Sequence, residues 1–411
     1  MTEILCRACG SELHATMVDL GLHPPSNAYL ASRDLIINER RYPLRAKVCG
    51  TCFLVQVDYD VPPEELFGNY AYFSSYSDSW LKHADAYCEM ARSRFGLNTE
   101  SLVVELASND GYLLKNFVAS GIPVLGIDPS DTVAAAALKI GVPTIVEFFG
   151  TATASRLVGE NRMADLIVGN NVLAHVPALN DFIAGIALLL KPEGTVTIEF
   201  PHLLKLVEHV EFDTIYHEHF SYISLLAIEK VFARHGLRLY DVQELATHGG
   251  SLRIFASHVD RPGIGEGPAL LKVRADEARA GLDRLATYED FRDLVDACRA
   301  SVLTFLAQAK KNGKTVAGYG AAAKGNTLLN FCGVTSDQIG MVADRNPHKQ
   351  GKLLPGSHIK IVSPEVLMEA KPDYVLIFPW NLKDEVMEQL KSIREWGGRF
   401  VTPVPTIRVY E

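Results

Sequence analysis

Three observations predict an α/β chain in three parts: two C-x-x-C pairs near the N-terminus, apolar strands alternating with helical periods from Ser101, and a second strand, glycine loop and helix beginning at Lys314. With 411 residues, 48% of them hydrophobic and 22% charged, the chain is longer than one core supports, and each part can bury its own. Boundaries are expected at 1–75, 76–235 and 236–411. A formal net charge of -9 and a pI near 5.8 exclude nucleic acid as the main partner, because a polyanion needs a basic stripe to displace its counterions. No apolar run approaches the roughly 20 residues that cross a bilayer. The start MTEILCRACG lacks the basic and apolar regions of a signal peptide, so a soluble, cytoplasmic protein with no membrane partner is expected. Three domains that bury their own surfaces point to a monomer.

The first part is read from Cys6 and Cys9 in CRACG and Cys49 and Cys52 in CGTC. Two thiolates three apart share one metal, glycine lets each knuckle turn back, and two knuckles complete a tetrahedral sulfur shell for zinc. With no open coordination position the zinc is structural, and chelation is expected to unfold this module without touching the chemistry directly. Seven cysteines, an odd count in a long chain, disfavour a disulfide framework. Between the knuckles, DLGLHPPSNAYL displays Ser26, Asn27 and Tyr29 on a loop, and residues 68–80, GNYAYFSSYSDSW, interleave Tyr70, Tyr72, Phe73 and Tyr76 with serines. Such a stretch suits a lid over a small molecule, and equally an aromatic loop packed on a neighbouring domain.

In the second part, SLVVELA, IPVLGID, PTIVEFF, ADLIVGNNVLAHV and GTVTIEF are strands separated by helical segments, which is the pattern of an open parallel sheet with a ligand beyond the strands' carboxyl ends. The loop ELASNDGYLL after the first strand has one glycine, Gly111, and departs from the G-x-G-x-x-G of dinucleotide folds. Asp128 closes the second strand 17 residues later, where a carboxylate takes both hydroxyls of an adenosine ribose. Glu105 and Asp110 would repel a pyrophosphate but tolerate a sulfonium and an ammonium, so S-adenosylmethionine is favoured over NAD. The plainer alternative makes Glu105 and Asp128 strand-end caps.

YHEHFSY, residues 216–222, concentrates proton-handling groups just ahead of the helical SLLAIEKVF. In an extended chain His217 and His219 would point one way and Tyr216, Glu218 and Phe220 the other. The residue types alone admit a metal site, buried hydrogen-bonded histidines or a general base.

In the third part, GLRLYDVQELA and SLRIFASH read as two strands joined by THGG, with His248, Ser251 and Arg253 around Gly249 and Gly250. A hairpin turn or close approach to a ligand explains the glycines equally. Residues 267–310 have a helical period and connect to KTVAGYGAAAKGN and QIGMVADRNPHKQGK. Gly318, Gly320 and Asp344 would suit an NAD-dependent oxidoreductase, the rival function, although alanines and Lys324 stand where a third glycine should be. Lys324 with Arg345, Lys349 and Lys352 would suit a phosphate, or would be ordinary surface cations.

CRACG, CGTC, ELASNDGYLL, GNNVLAHV and YHEHFSY together resemble the sugar C-methyltransferases that act on nucleotide-linked keto sugars, over the whole chain. The resemblance implies an α/β architecture of zinc module, central Rossmann-like methyltransferase domain and second Rossmann-like domain. It implies S-adenosylmethionine held by Glu105, Ala107, Asn109, Asp110, Gly111, Tyr112, Asp128, Asn170 and Asn171. It implies a nucleotide sugar, dTDP-linked and of the 4-keto-6-deoxy type, held by Ser26, Asn27, His248, Arg253, Lys324, Asn326, Arg345, Lys349 and Lys352. His219 becomes the base, Tyr216 and Glu218 its neighbours, and His175 a residue close to the sugar. A proton beside a ketone is acidic enough for a placed imidazole to remove, and the enolate oxygen then needs a donor such as Tyr216, His175, Tyr70 or Tyr76. Methyl transfer to the carbon next to the ketone, carbon 3, follows; O-methylation needs the same donor and a base and stays open.

Overall fold

The computed structural model describes residues 4–59, 61, 74–76 and 78–411. The N-terminal part forms antiparallel strands β1 (Ala15–His23), β2 (Tyr42–Val48) and β3 (Val55–Val57). The central part supplies β4 (Val103–Leu106), β5 (Val124–Ile127), β6 (Thr144–Ile145), β7 (Ala164–Asn170) and β8 (Leu190–Pro201). These five are parallel, in the order β6-β5-β4-β7-β8. The chain runs outward from β4 on one side and from β7 on the other. The cleft at their carboxyl ends is therefore the topological switch point where such sheets hold ligands.

After β8 the chain does not stay with the central sheet. Strand β9 (Ser221–Tyr222) pairs with β3, so the segment holding YHEHFSY is stitched into the zinc module's sheet. The hairpin β10 (Leu237–Leu245) and β11 (Ser251–His258) then returns to the central sheet, β11 lying antiparallel to β8. The boundary expected at 236 thus does not separate two sheets. Leu252, Ile254, Phe255 and Ala256 are all buried, so both faces of β11 need cover that a free-standing hairpin lacks.

The remaining sheet contains β12 (Val316–Tyr319), β13 (Val342–Ala343), β14 (Ile361–Val362), β15 (Tyr374–Ile377), β16 (Arg399–Thr402) and β17 (Arg408–Tyr410). Its order is β14-β13-β12-β15-β16-β17, parallel except at β17, a second Rossmann-like layer as expected. The connector is two helices, Pro268–Ala280 and Leu285–Lys311. The longer one buries Tyr288, Phe291, Val295, Cys298, Val302, Leu306 and Ala309, a stripe at steps of three and four. That stripe shares one core with Met17, Val18 and Leu44 of the N-terminal sheet and with Val342, Ile361 and Leu376 of the C-terminal sheet. Each large apolar side chain so removed from water contributes roughly 1.5–3 kcal/mol, which makes the parts interdependent. Among the described residues no helix is long and apolar enough to cross a membrane.

Candidate active site

The four N-terminal cysteines converge: their sulfurs all lie within 4.8 Å of one another, with Cys6 to Cys52 at 3.5 Å and Cys9 to Cys49 at 3.4 Å. Sulfurs about 3.8 Å apart surround a zinc ion bonded at about 2.3 Å, so the donor set fits zinc with every position taken by sulfur. The backbone N–H groups of Thr51 and Cys52 point at the Cys49 sulfur, as a knuckle requires. Cys6, Cys49 and Cys52 are buried in the same core as the central sheet. The module is therefore wedged against the rest of the protein.

At the carboxyl end of β4 the loop is wound tightly. Ala107, Asn109 and Gly111 take φ values of 55°, 50° and 78°, a left-handed series that for alanine and asparagine is strained backbone of the kind found at ligand sites. Asp128, at the end of β5, stabilises that winding: its two oxygens accept the N–H groups of Asn109 and Ser130, both at 2.9 Å. An ionised carboxylate retains further lone pairs for a ribose. Asn109 Oδ1 and Asp110 Oδ2 accept the N–H groups of Ser74 and Ser75, at 2.9 and 3.2 Å, which ties the donor loop to the turn Ser74–Tyr76. Tyr76 ends that turn, and Tyr70 lies outside the described residues.

Glu105 is 1% exposed, and among the described residues neither of its carboxylate oxygens has a hydrogen-bond partner. Burial, reinforced by Asp128 and Asp110, pushes its carboxyl well above the usual range. Such an orphaned acid is costly unless a ligand completes it, and a cationic methyl donor with an ammonium group has the complementary chemistry. Asp110 Oδ1 and Asn171 Oδ1 are likewise buried without partners among the described residues. Asn170 and Asn171 end β7 next to this loop, Asn171 at a φ of 53°, and Tyr112 is buried beside Asn170.

The alternation expected for YHEHFSY does not occur. The His219 N–H bonds the Tyr216 carbonyl at 2.9 Å, closing a turn that puts Tyr216 and His219 on the same side. The two rings are 4.0 Å apart and the Tyr216 hydroxyl lies 2.7 Å from His219 Nε2. His219 Nδ1 lies 3.0 Å from the Thr214 carbonyl oxygen. A carbonyl only accepts, so Nδ1 carries the proton and Nε2 presents its lone pair to the Tyr216 O–H. Burial, with His175 adding to it, holds the His219 ring well below its usual pKa and hence neutral.

His175 packs edge-on to His219 at 4.8 Å and bonds the Glu218 backbone carbonyl. Burial lowers its pKa to about 4. The Glu218 carboxylate accepts from Asn27 Nδ2 at 2.7 Å, and burial raises it to about 7. His217 turns away to the Pro43 carbonyl at 3.1 Å and the edge of Tyr42, so the two histidines are not a chelate.

His248, at a φ of 57°, meets Asn171 Nδ2 at 3.0 Å and the edge of Trp80. Behind it lies a cluster that sequence reasoning missed. Glu199 on β8, fully buried, is bonded by His83 at 2.8 Å, Arg253 at 2.6 Å and Thr247 at 3.0 Å. Arg253 also holds Gln243 at 2.9 Å and is 3% exposed. The acid inside the apolar strand GTVTIEF was the available signal, since a buried charge needs partners.

Across the cleft, Lys324 lies over the Trp380 ring at 4.2 Å and bonds Asn381 at 3.1 Å, with Asp213 and Glu211 acting on its charge. Lys349 bonds the Ala321 carbonyl at 2.8 Å beside Tyr29, and Asn326 reaches the Ser26 carbonyl at 2.6 Å. Arg345 is exposed and Lys352 half-buried. Asp344 accepts from the N–H groups of Ala321 and Asn346 at 2.7 and 2.8 Å, repeating the loop-holding role of Asp128.

Comparison with known proteins assigns three adjoining stretches. Residues 6–67 match the family model "Putative zinc binding domain", 80–242 "Methyltransferase domain" and 246–405 "C-methyltransferase C-terminal domain". The chain is 36% identical over 409 residues to the C-methyltransferase NovU of Streptomyces niveus, covering 98% of this chain and 96% of NovU. A magnesium protoporphyrin IX methyltransferase from Synechocystis PCC 6803 aligns with 43% of this chain and 79% of its own, at 16% identity and a TM-score of 0.34. The PH0226 protein of Pyrococcus horikoshii OT3 aligns with 48% and 96%, at 16% identity and 0.37.

Proposed function

The chain belongs to the S-adenosylmethionine-dependent C-methyltransferases, and from that premise we propose that it methylates the carbon next to the ketone, carbon 3, of a nucleotide-linked 4-keto-6-deoxysugar, dTDP-linked, with His219 as the base. The family membership replaces the oxidoreductase alternative. Bound S-adenosylmethionine would be held by Glu105, Asn109, Asp110, Asp128, Asn170 and Asn171, and supplies an electrophilic methyl group. The observation that carries the assignment is the Tyr216–His219 pair: a neutral imidazole, its lone pair on Nε2, capped by a phenol at 2.7 Å.

The work of the chain's own residues follows from that geometry. As substrate enters, the Tyr216 hydroxyl turns from Nε2 to the ketone oxygen, which leaves the lone pair facing the carbon-bound proton. Nε2 takes that proton while the phenol donates to the developing enolate oxygen, and His175, its one N–H held by the Glu218 carbonyl, packs against the base. The low basicity of the buried ring is offset as negative charge grows beside it in a site of low dielectric. Ser26, Asn27, Asn326 and Lys349 line the junction suited to the sugar nucleotide, and Lys349, Lys352 and Arg345 supply positive charge near the loop held by Asp344.

The test uses labelled donor and a panel of nucleotide keto sugars, locating the new methyl group by NMR. Wild-type protein is expected to exchange the carbon-3 hydrogen with deuterated solvent. His219→Gln should lose turnover and exchange by about 100-fold or more while binding donor normally. A methyl group on oxygen, or undiminished exchange in His219→Gln, overturns the assignment.

A further inference from the structure

The backbone that holds His219 is itself held from another domain. Thr214 ends a short turn, Phe212–Thr214, and its carbonyl is the acceptor of His219 Nδ1–H. On one side of it, the Asp213 carboxylate accepts the Trp380 indole N–H at 2.7 Å. On the other, the Ile215 carbonyl accepts the Thr327 hydroxyl at 2.9 Å. Asp213 is 1% exposed and Thr327 fully buried, so water does not compete for either bond. Trp380 follows the carboxyl end of β15, and Thr327 lies in the helix Ala323–Cys332 that follows β12. Lys324, one turn before Thr327 in that helix, covers the Trp380 ring at 4.2 Å and joins the two clamps.

We propose that Trp380 and Thr327 are positioning residues for the base: by gripping the chain on both sides of Thr214 they fix the carbonyl that decides which ring nitrogen of His219 carries the proton. The proposal rests on His219 being the base. With the carbonyl in place Nδ1 keeps its hydrogen and Nε2 its lone pair. With it displaced, the ring gains the other tautomer, in which Nε2–H donates to Tyr216 and has nothing to accept a proton with. A wrong tautomer in an otherwise intact site disables a histidine base. Both clamps come from the carboxyl ends of a Rossmann-like sheet, the place where such a sheet meets a ligand. Seating of the substrate's nucleotide there is thereby coupled to the readiness of the base in the neighbouring domain.

The experiment compares Trp380→Phe, Thr327→Val and Thr327→Ser in the full chain, by kcat at saturating substrates, donor Kd by calorimetry, and 15N NMR of imidazole-labelled protein. Trp380→Phe and the nearly isosteric Thr327→Val should lose about tenfold or more in kcat, with donor Kd within about twofold, and should show an Nε2–H population for His219. Thr327→Ser should restore both rate and the Nδ1–H signal. Unchanged kcat, or a lost rate with Nδ1–H fully retained, overturns the proposal, and normal donor binding certifies that a variant is folded. Should His219→Gln remain active, the base assignment fails instead, a result independent of the tautomer signal.

Discussion

Glu211 shows what a single buried acid does to this site. Its carboxyl is 3% exposed, and burial raises it from 4.5 to about 8 although Lys324 opposes the shift. Between those two values the folded protein keeps a proton at Glu211 that the unfolded chain has released, so this residue's contribution to stability is full below pH 4.5 and is lost as pH rises toward 8. The loss is at most about 1.4 kcal/mol for each pH unit. Relative to Glu211→Gln, which carries no titrating group there, the wild type should therefore lose melting temperature across that window in a scan of melting against pH. The residue types of His219, Tyr216, Glu218 and Glu105 were legible in the sequence because dense ionisable groups and acids at strand ends are chemically conspicuous. The Tyr216–His219 contact was not, since a turn and an extended strand share the same letters and differ only in the His219 N–H to Tyr216 carbonyl bond. Glu211, Asp213 and Trp380 were silent because they act through partners far along the chain.

At the scale of elements, the hairpin tip between β10 and β11 is set by space. Gly249 has a φ of 98°, and a methyl group on it would collide with the Glu211 carboxylate and lie 2.7 Å from the Trp380 ring. Gly249→Ala should cost about 1–3 kcal/mol in a denaturant titration, from forced backbone conformation and overpacking together. The glycine pair was open to a hairpin turn or close approach to a ligand; the structure shows the turn, with Glu211 and Trp380 packed against Gly249. The strands themselves were legible from apolar alternation. Their partners were not: β9 joins the zinc module and β10 and β11 rejoin the central sheet, and pairing over such separations leaves no local signature.

For the whole molecule, the cysteine cluster is joined through β3 and β9 to the turn that carries His219. Strand β9 begins two residues after His219 and pairs with β3, while Gln56 on β3 accepts the Arg7 N–H at 2.8 Å. Phe220, between them, bonds the Ala174 carbonyl at 2.7 Å beside His175. Chelation was expected to unfold this module without touching the chemistry directly; because β9 pairs with β3, loosening the knuckles would also free one flank of the His219 turn. Stripping zinc with a strong chelator, or Cys9→Ser, should lower the melting temperature and reduce kcat in the fraction still folded; a melting shift with kcat intact would show the flank to be independent. The three-part order of the chain was readable from cysteine spacing and strand–helix alternation, whereas the shared core was not, because periodicity marks a buried stripe without naming what covers it.

That shared core also constrains how the protein is made. The helix Leu285–Lys311 lends one apolar stripe to the earliest strands of the chain and to the latest sheet. As the polypeptide leaves the ribosome, β1 and β2 therefore emerge long before the surface that shields them exists. Until residues 285–311 have emerged, the apolar side chains of β1 and β2 lack the helix that covers them in the folded core.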